Sequence, residues 1–424
     1  MKRVFSILLI FVLLFIFTCC GSKQGPDNEQ PELLSAHWDM VLQNNDYLIG
    51  EHDVILGMTE QVDIPSGVDV KYNLKTHVVS PICVDELCSH EEGSSCKFQD
   101  VVSYCFVKDN DVFYRVNVHT VIGTYEEKDE NGNSSEVPLW DQKQEFVRYN
   151  LLTGDYKVLI SMSSTEAEMT GGRFIRSGNN AFYLRYIPQV EKPQSESDYK
   201  LYLCSTDLKD GGETRVFEAP SVLGKKSVLL FCMNQAFYFY DSQTQQLFRV
   251  TNDGTVQADM LLNGTGEQTV QGGVDGLFSY GSYFYYPVEV GKADPAHGEL
   301  SGYYLYRLNV ETKQFERVSN EIIERFNATE KGLVCILHSN QLPEYGHEGE
   351  PAPGADKNLV VRFGYDGSTR EYLGFYNPSV LGEPFMTWVA GDDLFLWCTM
   401  STYRFSLTNG QIYTIVSDEI VSQS

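Results

Sequence analysis

Apolar and polar positions in this chain fall into short runs split by turns rather than into a helical stripe. An aromatic-rich run recurs as Val112-Phe113-Tyr114, Ala181-Phe182-Tyr183, Ala236-Phe237-Tyr238, Tyr283-Phe284-Tyr285, Leu333-Val334-Cys335 and Leu394-Phe395-Leu396. Each follows a turn rich in Asp, Asn or Gly, such as Asp109-Asn110-Asp111 or Gly178-Asn179-Asn180. A second run pairs a basic with an apolar residue: Lys71-Tyr72, Arg148-Tyr149, Arg249-Val250, Arg307-Leu308, Arg362-Phe363 and Arg404-Phe405, with Leu201-Tyr202-Leu203-Cys204 in the same place without Arg. Thr153-Gly154, Asp210-Gly211-Gly212, Asp253-Gly254, Glu311-Thr312-Lys313, Asp366-Gly367 and Asn409-Gly410 then read as hairpin turns, because Asp-Gly and Asn-Gly supply the positive φ that tight hairpins need. A last strand closes each unit, as in Tyr156-Lys157-Val158-Leu159-Ile160.

The position after the basic residue falls at 72, 149, 204, 250, 308, 363 and 405, an interval of about 55 residues on average. Four short antiparallel strands with their loops need that length. The expected fold is therefore all-β, a β-propeller of about seven four-stranded blades over residues 37–424. A pair of β-sandwiches also shows short alternating strands, but does not require one strand-turn-strand formula repeated seven times.

Ahead of the repeat, Lys2 and Arg3 precede an apolar run from Val4 to Phe17 broken only by Ser6, and Thr18-Cys19-Cys20-Gly21-Ser22 follows. A charged start, a short apolar stretch and a small-residue exit mark an export signal, and the run is shorter than the ~20 residues that cross a bilayer as a helix. Phe17-Thr18-Cys19-Cys20 resembles the lipobox of bacterial lipoproteins, with Phe17 where Leu is usual. That resemblance implies a signal peptide over 1–19 and lipid on Cys20, with Cys19 as the rival register. Residues 20–36, polar and containing Pro, then form a lipidated flexible tether. Lipid on Cys20 would make the membrane itself a partner and hold the protein on its outer face. The strand and turn formulae after residue 60 are similar to those of exported propeller-like lipoproteins of anaerobic Gram-positive bacteria, a likeness that implies fold and location rather than activity.

Charge narrows the range of partners. With 32 Lys and Arg against 58 Asp and Glu, the net charge is −26, which excludes nucleic acid, since binding it depends on neutralising phosphates. Long polar segments at 119–144, 188–199, 288–301 and 338–357 all fall between second and third strands. In an up-and-down blade those connections leave from the same face as the links between blades, so they mark a candidate surface for a glycan, peptide or protein. His338, His347 and Glu348 cluster in the last of them with Glu344 and Glu350; they are candidate binding residues, a solvated acidic loop being the plainer alternative.

Cys204, Cys232, Cys335 and Cys398 stand singly in apolar strands, as small buried hydrophobes do. Cys83-Val-Asp-Glu-Leu-Cys88-Ser-His90-Glu-Glu-Gly-Ser-Ser-Cys96 instead gathers three thiols and an imidazole in fourteen residues of the link between the first two blades. Three Cys and one His are a tetrahedral zinc set, so Cys83, Cys88, His90 and Cys96 form a candidate structural zinc site. A disulfide within the loop, leaving the third cysteine unpaired or joined to Cys105, is the alternative that export favours. The loop also resembles a cysteine-and-histidine segment of the same lipoprotein group. No Gly-x-Ser-x-Gly, His-Glu-x-x-His or Gly-x-x-x-x-Gly-Lys motif occurs, and these are the local signatures of common catalytic sites. The expected function is a non-catalytic binding module outside the cell; the alternative is a secreted hydrolase or lyase with carboxylates at the channel mouth.

Overall fold

A computed structural model describes residues 33–35, 41–56, 64, 68–85, 88–90, 96–128, 134–163, 173–191, 193, 195–221, 223, 227–233, 236–241, 246–261, 276–289, 302–338, 357–398, 401–416 and 419–422. Among them seven antiparallel sheets follow one another along the chain, over 41–81, 101–163, 174–218, 227–261, 278–317, 325–376 and 384–414. Within each sheet the four consecutive strands are hydrogen-bonded in chain order, the up-and-down arrangement of a propeller blade. Among the described residues, helix is confined to His52–Leu56, Pro378–Leu381 and one 3-10 turn at Glu196–Asp198.

The aromatic runs are the second strands of the blades, and period-two geometry explains their composition. Successive side chains on a strand point to opposite faces. In the second strand of blade four, Ala236–Asp241, Phe237 and Phe239 pack with Ile175, Leu203 and Phe248 toward blade three. Ala236, Tyr238 and Tyr240 turn the other way, onto Phe284, Tyr286 and Leu308 of blade five. Both faces are covered, so the strand reads as unbroken apolar sequence, as strands buried on two sides do. Each such large side chain contributes ~1.5–3 kcal/mol by burial.

One apolar cluster of this kind fills each of the seven wedges between neighbouring blades. The last joins Leu48, Val70 and Tyr72 of blade one to Ala390, Phe395 and Ile415 beside blade seven. The Tyr72 hydroxyl also donates to the Ile415 carbonyl at 2.8 Å, across 343 residues of sequence. Among the described residues the ring is thus closed by packing between two separately formed sheets, with no strand exchanged between them.

The repeated basic position lies on the third strand, and part of its purpose is visible. Lys71 Nζ donates to the Leu151 carbonyl and Arg307 Nη1 to that of Tyr365, both at 3.2 Å, while Arg404 Nη1 lies 3.0 Å from His77 Nε2. In each case the acceptor belongs to the turn after the third strand of the next blade. The same turns carry a residue in the left-handed region, at Gly154, Gly211, Gly254, Gly367 and Gly410 and also at His77 and Lys313.

Three segments differ from expectation. Of residues 119–144, read as a polar loop, 119–128 and 134–144 are the paired ends of two long strands, Asp111–Lys128 and Ser134–Asn150. Blade one has its own long connection, 52–68, which opens with the helix His52–Leu56. Leu33–Ser35, within the segment read as tether, forms a strand antiparallel to Phe278–Tyr280 on the inner edge of blade five. Among the described residues no helix is long and apolar enough to cross a membrane.

Candidate metal centre and the insertion-bearing face

The outer strand of blade one is only Val79–Pro81, and the chain leaves it with Ile82 donating to the Asp69 carbonyl at 3.0 Å. It then forms the link to Val101–Lys108, the inner strand of blade two. Within the link, Cys88 N–H bonds to the Asp85 carbonyl at 3.1 Å and Gln99 N–H to the Cys96 carbonyl at 3.4 Å. These turns bring the cysteines back on one another. One ligand atom from each of Cys83, Cys88, His90 and Cys96 lies within 4.8 Å of all the others, and His90 Nδ1 is 3.7 Å from Cys96 Sγ. His90 holds φ at 58°, a left-handed conformation uncommon outside glycine.

The surroundings orient the group. The backbone N–H of Asp85 is hydrogen-bonded to the Cys83 sulfur, and that of Phe98 to the Cys96 sulfur. Tyr149, on the third strand of blade two, accepts the Val84 N–H at 2.9 Å and is hydrogen-bonded to Cys83. Phe98 stacks on Tyr114 with centroids 5.0 Å apart and meets Tyr149 edge-on at 4.8 Å. The link is therefore anchored on the apolar wedge between blades one and two. Burial raises the Cys83 thiol pKa and pushes that of Cys96 up to about 12, in each case against the backbone N–H that favours the thiolate.

All four residues predicted as ligands come together. No disulfide occurs among the described residues, and Cys105 packs in the next wedge, with the cluster shared by blades two and three. Cys204, Cys335 and Cys398 are buried in strands as expected and Cys232 is half-buried. His338 ends the second strand of blade six in register with Asn358, while His347, Glu348 and Cys20 lie outside the described residues.

From the topology, the connections between second and third strands share a side of the ring with the blade-to-blade links. The largest described one is an arm on blade two, in which His119–Lys128 pairs with Ser134–Gln142, from His119 opposite Gln142 to Lys128 opposite Ser134. Ten residues of strand reach roughly 30 Å. Val121, Ile122, Tyr125 and Leu139 on this arm are 48 to 61% exposed. The 188–199 connection is more compact, closed by Gln189 N–H to the Asp198 carbonyl at 2.7 Å.

One polar group on the same side escaped sequence reasoning. Asp69, at the start of a third strand, lies in register with Glu51 and accepts a 2.6 Å hydrogen bond from the Tyr104 hydroxyl of blade two. Burial, with Glu51 adding to it, raises the Asp69 carboxyl from its ordinary 3.8 to about 6 despite that bond. The partners are 35 residues apart, and no local motif joins them.

No protein-family model matches this chain, and no curated protein does. Solved structures do. An oligogalacturonate lyase from Vibrio parahaemolyticus is 10% identical, with 88% of this chain and 90% of that chain covered at a TM-score of 0.46. The β-propeller domain of the Trilobed protease from Pyrococcus furiosus, noted for an open velcro topology, is 10% identical over 74% of this chain and 83% of that one, at 0.40. Sqt1 from Saccharomyces cerevisiae is 8% identical over 91% and 86%, at 0.38. At such distances none of their activities passes to this chain. Its own strand order and wedges define a seven-bladed β-propeller, with a Cys and His cluster in its first inter-blade link.

Proposed function

We propose that this propeller is held outside the cell by lipid on Cys20 and binds a partner, without catalysis, through the face that carries the insertions. Among a glycan, a peptide and a protein, a polypeptide partner is favoured by one observation: the blade-two arm, with its exposed Val121, Ile122, Tyr125 and Leu139. A two-stranded ribbon is only marginally stable alone, and its edges offer unpaired backbone groups that another chain can complete. The strongly acidic chain suits a partner with basic and apolar character. The anchor rests on the charged start, short apolar run and Cys20-Gly21. Peptide and glycan arrays probed with the chain from residue 21 onward, with and without the tip of the arm, test the reading. Binding to peptides that the shortened arm abolishes is the expected result; glycan binding indifferent to the arm would overturn the polypeptide assignment. Fatty-acid labelling should vanish in Cys20→Ala, and labelling that persists would shift the anchor to Cys19.

A second reading, a hydrolase or lyase, is favoured by the Glu51 and Asp69 pair with the Tyr104 hydroxyl, because a carboxyl raised to about 6 suits general acid work. Turnover of a polysaccharide or peptide substrate that Asp69→Asn abolishes would support it and displace the non-catalytic one.

A further inference from the structure

We propose that Cys83, Cys88, His90 and Cys96 hold one structural zinc ion, which fastens the first inter-blade link after it leaves the outer strand of blade one, Val79–Pro81. Zinc bonds of ~2.3 Å to sulfur and ~2.0–2.1 Å to nitrogen, arranged as a tetrahedron, set the ligand atoms about 3.5–3.8 Å apart. The four side chains already lie within 4.8 Å of one another, His90 and Cys96 at 3.7 Å, so small rotations complete the shell. A disulfide would need only two sulfurs, joined at ~2.05 Å, and would give no reason for a third thiol and an imidazole to meet at the same point. The His90 ring reaches that point from a left-handed backbone, a conformation that persists where surrounding structure supports it.

Cys83 and Cys96 each receive the N–H of the residue two positions on, from Asp85 and Phe98. These two donors oppose the burial that raises both thiols and favour the thiolate, the form that binds metal. Tyr149 adds a hydrogen bond to Cys83. With four protein ligands there is no open position, and chemistry at the ion is excluded. Its effect is mechanical: it fixes Val84 and Phe98 against Tyr149 and Tyr114, closing the outer part of the wedge.

Elemental analysis of the purified full chain is expected to find one zinc per molecule. X-ray absorption should show three sulfurs near 2.3 Å and one nitrogen near 2.0–2.1 Å, and cobalt exchanged into the site should give the absorption of a tetrahedral thiolate complex. Chelator competition should show at least a tenfold loss of affinity in Cys88→Ser and in His90→Ala, with His90→Cys retaining the metal. Under reducing conditions, a chain that takes up no stoichiometric zinc overturns the proposal. So does a metal shell of oxygen ligands, a loss of two alkylatable thiols without metal, or zinc content unchanged in both Cys88→Ser and His90→Ala. The measurements on the unsubstituted protein decide the matter even if a variant fails to fold.

Discussion

Between blades five and six, the turn after the third strand of blade six rests on the backbone that ends blade five: Gly367, at φ 73°, has no room for a β-carbon, which would overlap the Val318 carbonyl oxygen. Gly211 against Leu159 and Gly410 against Leu373 repeat this seat elsewhere in the ring. Between blades one and two the seat is made differently. The outer strand of blade one stops at Pro81, and a β-carbon on Gly154 would meet instead the Val84 side chain, at 3.0 Å, on the cysteine-bearing link. Val318, one residue past the outer strand Phe315–Arg317, is still held by its N–H to the Leu305 carbonyl at 2.8 Å. Val84 lies three residues past Val79–Pro81, on an irregular link that needs a fastening of its own.

The largest effect should come from the backbone seat. Gly367→Ala forces a side chain both into the left-handed region and into Val318, which together cost about 4 kcal/mol; urea unfolding should show the loss, and an unchanged midpoint would mean that the two blades do not press together as described. Stripping zinc should cost about 3 kcal/mol, the linkage expected for a metal a few hundredfold above its dissociation constant. Hydrogen exchange would localise that loss, with faster exchange in 82–100 and in the first wedge and none added between blades five and six; uniform acceleration would contradict a local staple.

Next comes the inner part of the first wedge, where Asp69 accepts from Tyr104. Its folded-state pKa, about 6, lies above the ordinary 3.8, so the native state holds the proton more tightly. Stability is complete below pH 3.8 and falls as pH rises toward and through 6, by about 3 kcal/mol in all. Asp69→Asn keeps an acceptor for Tyr104 and should abolish that fall, raising stability at pH 7 and leaving it nearly unchanged at pH 4, as thermal melts at the two pH values would show. The smallest effect is expected for Gly154→Ala. Its φ is also positive, 74°, but the neighbour is a side chain that can turn aside, so the cost should be about 1–2 kcal/mol with zinc content unaltered; a loss as large as that of Gly367→Ala would show that the link is as unyielding as a strand.

The same contrast separates what was legible in the chain from what was not. The turn at Asp366-Gly367 was readable because a positive φ at the end of a hairpin calls for Gly in that one place. The cysteine cluster was readable as a set, because a loop of fourteen residues brings its own side chains near one another. Its support was not: Tyr149 lies 65 residues from the Val84 N–H it accepts, and the donors from Asp85 and Phe98 depend on turn geometry that spacing does not specify. The arm on blade two was misjudged because Glu126, Glu127 and Lys128 resemble a solvated loop, although Thr120, Val121, Ile122, Thr124 and Tyr125 beside them are strand formers.

By itself, then, the sequence determined the strand repeat, the turn positions, a count of about seven blades and the nearness of three thiols to an imidazole. Each of these depends on interactions within a few residues, where chain connectivity does most of the ordering. Tertiary structure alone decided that Tyr72 meets Ile415 to close the ring, that Tyr104 meets Asp69, that the link places Val84 beside Gly154, and that Val121 and Tyr125 stand in a paired arm. Those contacts join groups whose positions are defined only once neighbouring sheets pack, because a side chain's partners across a wedge follow from the shape of both blades and not from its own local pattern.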